Sequence, residues 1–150
     1  MAAEKGLREA QYNMGYHYAE GKGVPRDQGK AVFWYEKAAA AGDVKAQYNL
    51  GMLYLNGVNG KADDEKAAFF YRMAAGAGYG PAMYRLAVLY EEGRGVKQSY
   101  QLAGEWYERA DLAAKVKIDE AMKKSPHPFV QRTLQVPDDL NQSSDKLAGH

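Results

Sequence analysis

Apolar and small residues return along this chain every 36 positions. Ala10, Ala46 and Ala82 are followed by Met14, Leu50 and Leu86, by Tyr18, Tyr54 and Tyr90, and by Gly21, Gly57 and Gly93. A second series runs Ala31, Ala67, Ala103; Trp34, Phe70, Trp106; Tyr35, Tyr71, Tyr107; and Ala38, Ala74, Ala110. Within each series the apolar positions step by three and four, the spacing of one face of an α-helix. Glycines, a proline and acidic residues fall between the two series. The pattern predicts a unit of helix, turn and helix. A fixed period of this length, without insertions, is the mark of a solenoid, in which each unit buries its apolar face against the next.

Taken in order, residues 1–9 read as a partial unit, the end of a helix closed by Gly6. The first full unit, 10–45, has a helix from Ala10 to about Glu20, stopped by Gly21 and Gly23. Val24-Pro25 resists helix, because the residue before a proline is pushed out of the α region. Asp27 is then a good N-cap for a second helix that ends at Gly42. The unit 46–81 keeps the plan with Asp63, Asp64 and Glu65 at its second helix start, where negative charge favours the helix dipole. The unit 82–114 uses Ser99 as its cap. Ala114 replaces its closing glycine, which leaves its second helix free to run on. A capping helix is expected over about 111–124, completing a solenoid of residues 1–124. Pro126, Pro128 and Pro137 make 125–150 an extended or disordered tail.

The first copy carries Ala10, Gly15, Tyr18, Gly21, Gly23, Val24, Asp27, Lys30, Ala31, Trp34, Tyr35, Lys37, Ala38, Ala39 and Gly42. In these residues the chain resembles the Sel-1-like repeat family, an α-solenoid class related to tetratricopeptide repeats. The resemblance spans about residues 10–114. It departs at Asn59 and Gly60, at Phe70, at Ala87 in place of a helix glycine, and at Leu102 and Ala114. It implies an all-α, right-handed superhelix that acts as an adaptor or scaffold by binding a protein or peptide, with no catalytic residue and no cofactor. A narrower reading within the family is an inhibitor or immunity protein that neutralises a toxic enzyme.

In the related tetratricopeptide geometry the first helices line the concave surface. The matching positions are Tyr12, Asn13, Tyr16 and Glu20 in the first copy; Lys45, Tyr48, Asn49, Met52 and Asn56 in the second; and Tyr84, Arg85, Val88 and Glu92 in the third. Tyrosines beside Asn13, Asn49 and Arg85 suit an extended peptide, rings supplying contact area and amides bonding its backbone. The same residues could instead bridge adjacent first helices. Lys45, Met52 and Arg85 depart from the repeat pattern and so carry more information about a partner. Trp34, Phe70 and Trp106, with the tyrosines after them, are expected in the core.

Composition adds mainly exclusions. The 150 residues are 46% hydrophobic and 26% charged with a net charge of +1, which gives no basic excess for nucleic acid. There is no cysteine, so disulfides and thiolate sites are excluded. No apolar run approaches a membrane span. His17, His127 and His150 lie far apart without metal-ligand spacing. Gly23 with Gly29-Lys30 misses the phosphate-loop spacing, and Ala31 stands where Ser or Thr is needed. Asp63, Asp64 and Glu65 are accounted for as helix-start charges. Lys115, Lys117, Lys123 and Lys124 read as a solvated helix face, and Asn141-Gln142-Ser143 as a chance glycosylation triplet. No acid–base pair or activated nucleophile can be assembled, so an enzyme is not expected. A self-assembling subunit is the remaining class, joined end to end through residues 1–9 or through the tail. The tail is also expected to suit the solenoid's own groove. The compartment stays open, because the chain begins in the tail of a preceding unit and a longer natural protein would have that appearance.

Overall fold

The structure is a computed structural model that describes residues 2–124; the side chains of 2–3, 117–119, 121–122 and 124 are outside that description. The readings made of 125–150, including His127, His150, the Asn141 triplet and the groove-covering tail, lie outside the described residues. Six helices follow in order: α1 (Ala2–Glu20), α2 (Gln28–Ala40), α3 (Val44–Asn56), α4 (Asp64–Gly76), α5 (Gly80–Glu92) and α6 (Tyr100–Lys124). Among the described residues there is no strand beyond an isolated Val58–Lys61 bridge. The chain separates into two units, Met1–Ala113 and Ala114–His150, with the boundary inside α6.

The acidic residues before the helices start them. Asp27, Asp43 and Asp63 sit in extended backbone, and their carboxylates accept from the amides of Lys30, Ala46 and Lys66 at 3.0, 2.9 and 3.0 Å. The Ser99 hydroxyl accepts from the Leu102 amide at 3.2 Å in the same way. Each bond satisfies an amide that the helix itself cannot.

Helix ends show where glycine alone is insufficient. Gly42 adopts φ 95° between α2 and α3, and Asp43 immediately caps the next helix. Gly6 does not close a helix as its position in the repeat suggests; α1 passes through it. The residue after Gly6 is Leu7, which offers no acceptor for a new N-terminus, so continued helical bonding has no competitor. At the other end Ala114 and Lys115 likewise supply neither a left-handed residue nor a cap, and α6 continues to Lys124.

The departure at Asn59-Gly60 also has a local cause. Both residues have positive φ, 53° and 82°, and Val58 and Lys61 exchange two backbone hydrogen bonds of 3.0 and 3.1 Å. Asparagine and glycine tolerate this mirror-image turn better than other residues. The Asn59 amide then donates to the Gln28 side-chain oxygen at 2.8 Å, tying this turn to the preceding unit.

α1 packs on α2, α3 on α4, and the pairs are joined through α2 on α3 and α4 on α5. The core between them is largely alanine and tyrosine: Ala31, Tyr35 and Ala38 of α2, Ala67, Tyr71 and Ala74 of α4, with Leu50 and Leu86 from the first helices. Small residues let the helix axes approach, and the tyrosines fill what remains. Trp34, Phe70 and Trp106 are only half-buried, whereas Tyr35 and Tyr71 are 2% and 0% exposed. The reason lies across the helix pair. A Cβ on Gly15 would lie 2.6 Å from the Tyr35 ring, and one on Gly51 2.7 Å from the Tyr71 ring. Those glycines make the space. In the third unit Ala87 carries the methyl group, and Tyr107 is only half-buried, its hydroxyl turned to donate to Glu91 at 3.0 Å.

Candidate functional site

Residues 12, 16 and 20 of α1 recur one turn apart, as do 49, 52 and 56 of α3, so each set lies along one side of its helix. Their side chains converge. Tyr12, Tyr16, Glu20, Asn49, Met52 and Asn56 line one cavity of about 280 Å³, together with Tyr35 and Leu53. Beside it, Tyr12, Asn13 and Lys45 line a second depression of about 410 Å³ with Arg8 and Glu9. Tyr12 is the wall between the two.

The third-unit candidates stand apart from these cavities. Tyr84 is 52% exposed and packs edge-on against Tyr107, ring centres 5.0 Å apart. Val88 is half-buried, and Glu92 is exposed with its carboxylate 3.9 Å from the Arg94 guanidinium. Arg85 instead reaches back, its Nε donating to the Tyr48 hydroxyl at 3.4 Å. A wider depression of about 910 Å³ lies elsewhere, between Glu4, Leu7 and Arg8 of α1 and Lys37 and Ala40 of α2. It lies along the first helix pair, and no aromatic side chain lines it.

The tyrosines of this face pack within each unit through their rings and join neighbouring units through their hydroxyls. Tyr12 packs on Tyr35 and Tyr48 on Tyr71, each with ring centres 5.7 Å apart, and Tyr48 meets Tyr79 at 5.3 Å. Asn49 Nδ2 donates to the hydroxyls of Tyr12 at 3.4 Å and Tyr35 at 3.3 Å. Arg85 occupies the place of Asn49 one period later and bonds Tyr48, yet the buried Tyr71 hydroxyl has no protein partner. Burial pushes the Tyr35 and Tyr71 hydroxyls well above the usual tyrosine range, with the Arg85 charge pulling Tyr71 partly back. These phenols stay neutral at physiological pH, so they serve as hydrogen-bonding groups and not as bases.

On the turn side Asp63 and Asp64 are already occupied. Asp63 caps α4, and Asp64 accepts two hydrogen bonds from Arg94, at 3.2 and 3.4 Å. Gly95 lies against the Asp64 backbone, where no side chain would fit. Among the described residues no group of three His, Asp or Glu side chains could hold a metal ion. No described helix is long and apolar enough to cross a membrane.

Two features escaped the sequence pattern. The pairing of Tyr48 with Tyr79 brings in a residue, Tyr79, that has no counterpart one period away. Phe33 and Phe69, one period apart, are 51% and 56% exposed on the outer side of α2 and α4, with the Lys37 ammonium 4.6 Å from the Phe33 ring centre. Their spacing was the signal available for them; the third copy has Glu105 there.

The profile described as Sel1 repeat matches residues 8–43, 44–79 and 80–110. Over 42 residues the chain is 50% identical to proteins named chitin synthase regulator SKT5 from Malassezia restricta and Saccharomyces cerevisiae; the match covers 28% of this chain but 3% and 6% of those proteins. Two crystal structures are similar in fold. One is c5321, described as a protective antigen of uropathogenic Escherichia coli with an SLR fold, at TM-score 0.68 and 41% identity over 73% of this chain and 24% of that one. The other is a Sel1 repeat protein from Oxalobacter formigenes, at TM-score 0.65 and 37% identity over 71% of this chain and 43% of that one. The chain thus spans a small part of the curated relatives and less than half of either solved neighbour.

Proposed function

Because the chain belongs to the Sel1 repeat family, whose repeats are in general protein–protein interaction modules and generally non-catalytic, we propose that it is an adaptor or scaffold that binds a protein or peptide through the face of α1, α3 and α5. The observation that carries this reading is the convergence of Tyr12, Tyr16, Glu20, Asn49, Met52 and Asn56 on one cavity. Tyrosine rings offer contact area with little ordering cost, a methionine adapts to the shape it meets, and the amides can bond a partner's backbone. A cavity of this size takes a side chain or two, which suits an anchor from a larger partner. The chitin synthase regulators suggest a second reading, control of an enzyme by binding it; they share 42 residues with this chain, and that match supports the repeat more than any particular target.

Photo-crosslinking tests the face directly. A benzophenone amino acid at Tyr16 or Met52 is expected to trap one partner from an extract of the source organism, while the same group at Phe33 on the outer side traps none. Adducts formed only from Phe33 would place binding on the opposite surface.

A further inference from the structure

We infer that Arg85, with the Tyr71 hydroxyl beside it, is a receptor for a single carboxylate, carried as an Asp or Glu side chain by an extended segment of the partner. This rests on the reading that the face of α1, α3 and α5 binds a protein, and names what that face selects.

The argument begins from two copies of one position. In the first step of the face, Asn49 donates to the hydroxyls of both Tyr12 and Tyr35. In the next step Arg85 replaces it and bonds only Tyr48, while Tyr71, 0% exposed, keeps an unpartnered hydroxyl. A buried O–H without an acceptor is unfavourable, and an incoming acceptor would relieve it. Arg85 has donors to spare. A guanidinium carries five N–H groups, of which Nε–H is used here, and among the described residues no carboxylate meets Arg85. The remaining edge suits a carboxylate, which accepts paired hydrogen bonds in its plane. Lys45, three residues before Tyr48 and exposed, adds a second cation to the same side of α3.

The face continues along α3 on both sides of Tyr48, from Lys45 to Asn56, so an occupant need not end there. That favours a side chain within a segment over a chain terminus.

The test is a titration of the isotope-labelled full chain, following the Arg85 Nε–H signal, the ring signals of Tyr71, Tyr16 and the outer-side Phe33, and the Met52 methyl signal. Three probes are used: acetyl-Ala-Tyr-Glu-Leu-Ala-amide, its Gln counterpart as the amide, and that Gln peptide with a free carboxyl end. The Glu peptide should shift Arg85 and Tyr71 and bind at least about tenfold more tightly than the Gln amide. Arg85→Gln should abolish that preference, and Tyr71→Phe should reduce it in a folded protein. Equal affinity of the Glu and Gln amides with shifts at Tyr16 and Met52 would overturn the receptor and leave the face reading standing. Shifts confined to the outer side would remove both. A free-ended Gln peptide that matches the Glu peptide would overturn the side-chain assignment. Absence of any shift with all three probes at millimolar concentration would count against the receptor.

Discussion

Gly51 and Tyr71 meet so closely that a methyl group on Gly51 would lie 2.7 Å from the Tyr71 ring. In an isolated helix alanine is favoured over glycine by about 1 kcal/mol. Here the contact reverses that preference. Gly51→Ala should destabilise the protein by about 1–3 kcal/mol, the usual effect of overpacking, read as a lower urea midpoint. An unchanged or raised midpoint would mean that the ring can move aside.

The two core tyrosines should respond differently to loss of the hydroxyl. Tyr35→Phe removes a hydrogen bond from Asn49 and is expected to cost about 1 kcal/mol. Tyr71→Phe removes a hydroxyl that has no partner and should be neutral or stabilising. Thermal unfolding of the two variants, side by side, decides it; equal losses would show that Tyr71 finds an acceptor in solution.

Arg85→Asn restores the first-copy arrangement, in which one amide bonds two hydroxyls. It should raise stability by about 0.5–1.5 kcal/mol while reducing affinity for the Glu peptide. A variant that loses both stability and affinity would show that Arg85 is chiefly a structural bridge.

Alkaline pH should weaken the fold through Tyr54. Burial, then the hydrogen bond to Glu36, push its hydroxyl up to about 12. In the unfolded chain a tyrosine titrates near 10. The folded state therefore holds the proton more tightly. Its contribution to stability is complete below about pH 10 and is lost as pH rises through about 12. Tyr54→Phe, which has no such proton, should lose stability less steeply over that window when urea midpoints are compared. Parallel slopes would sink the assignment.

Much of this was legible in the residues because it depends on neighbours along the chain. Asp27, Asp63 and Ser99 announce helix starts, since an N-cap needs only an acceptor three residues from an unbonded amide. The 36-residue period places Tyr12, Tyr48 and Tyr84 in corresponding positions before any coordinates are known. Gly6 misled for the same local reason in reverse. Its ability to end a helix is intrinsic, but ending one also requires a following residue that starts another, and Leu7 cannot.

The sequence by itself determined the unit, its repetition and the family, because periodic burial and capping are encoded over spans shorter than one unit. Only the tertiary structure decided which aromatic goes deepest. Trp34 and Tyr35 are adjacent on one helix, and the choice between them is made by Gly15 on another. Likewise Asn49 and Arg85 occupy matching places in the repeat, and both bond a tyrosine one unit earlier. That Asn49 donates to two hydroxyls while Arg85 leaves Tyr71 unpartnered is a matter of reach across three helices, which no single stretch of chain records.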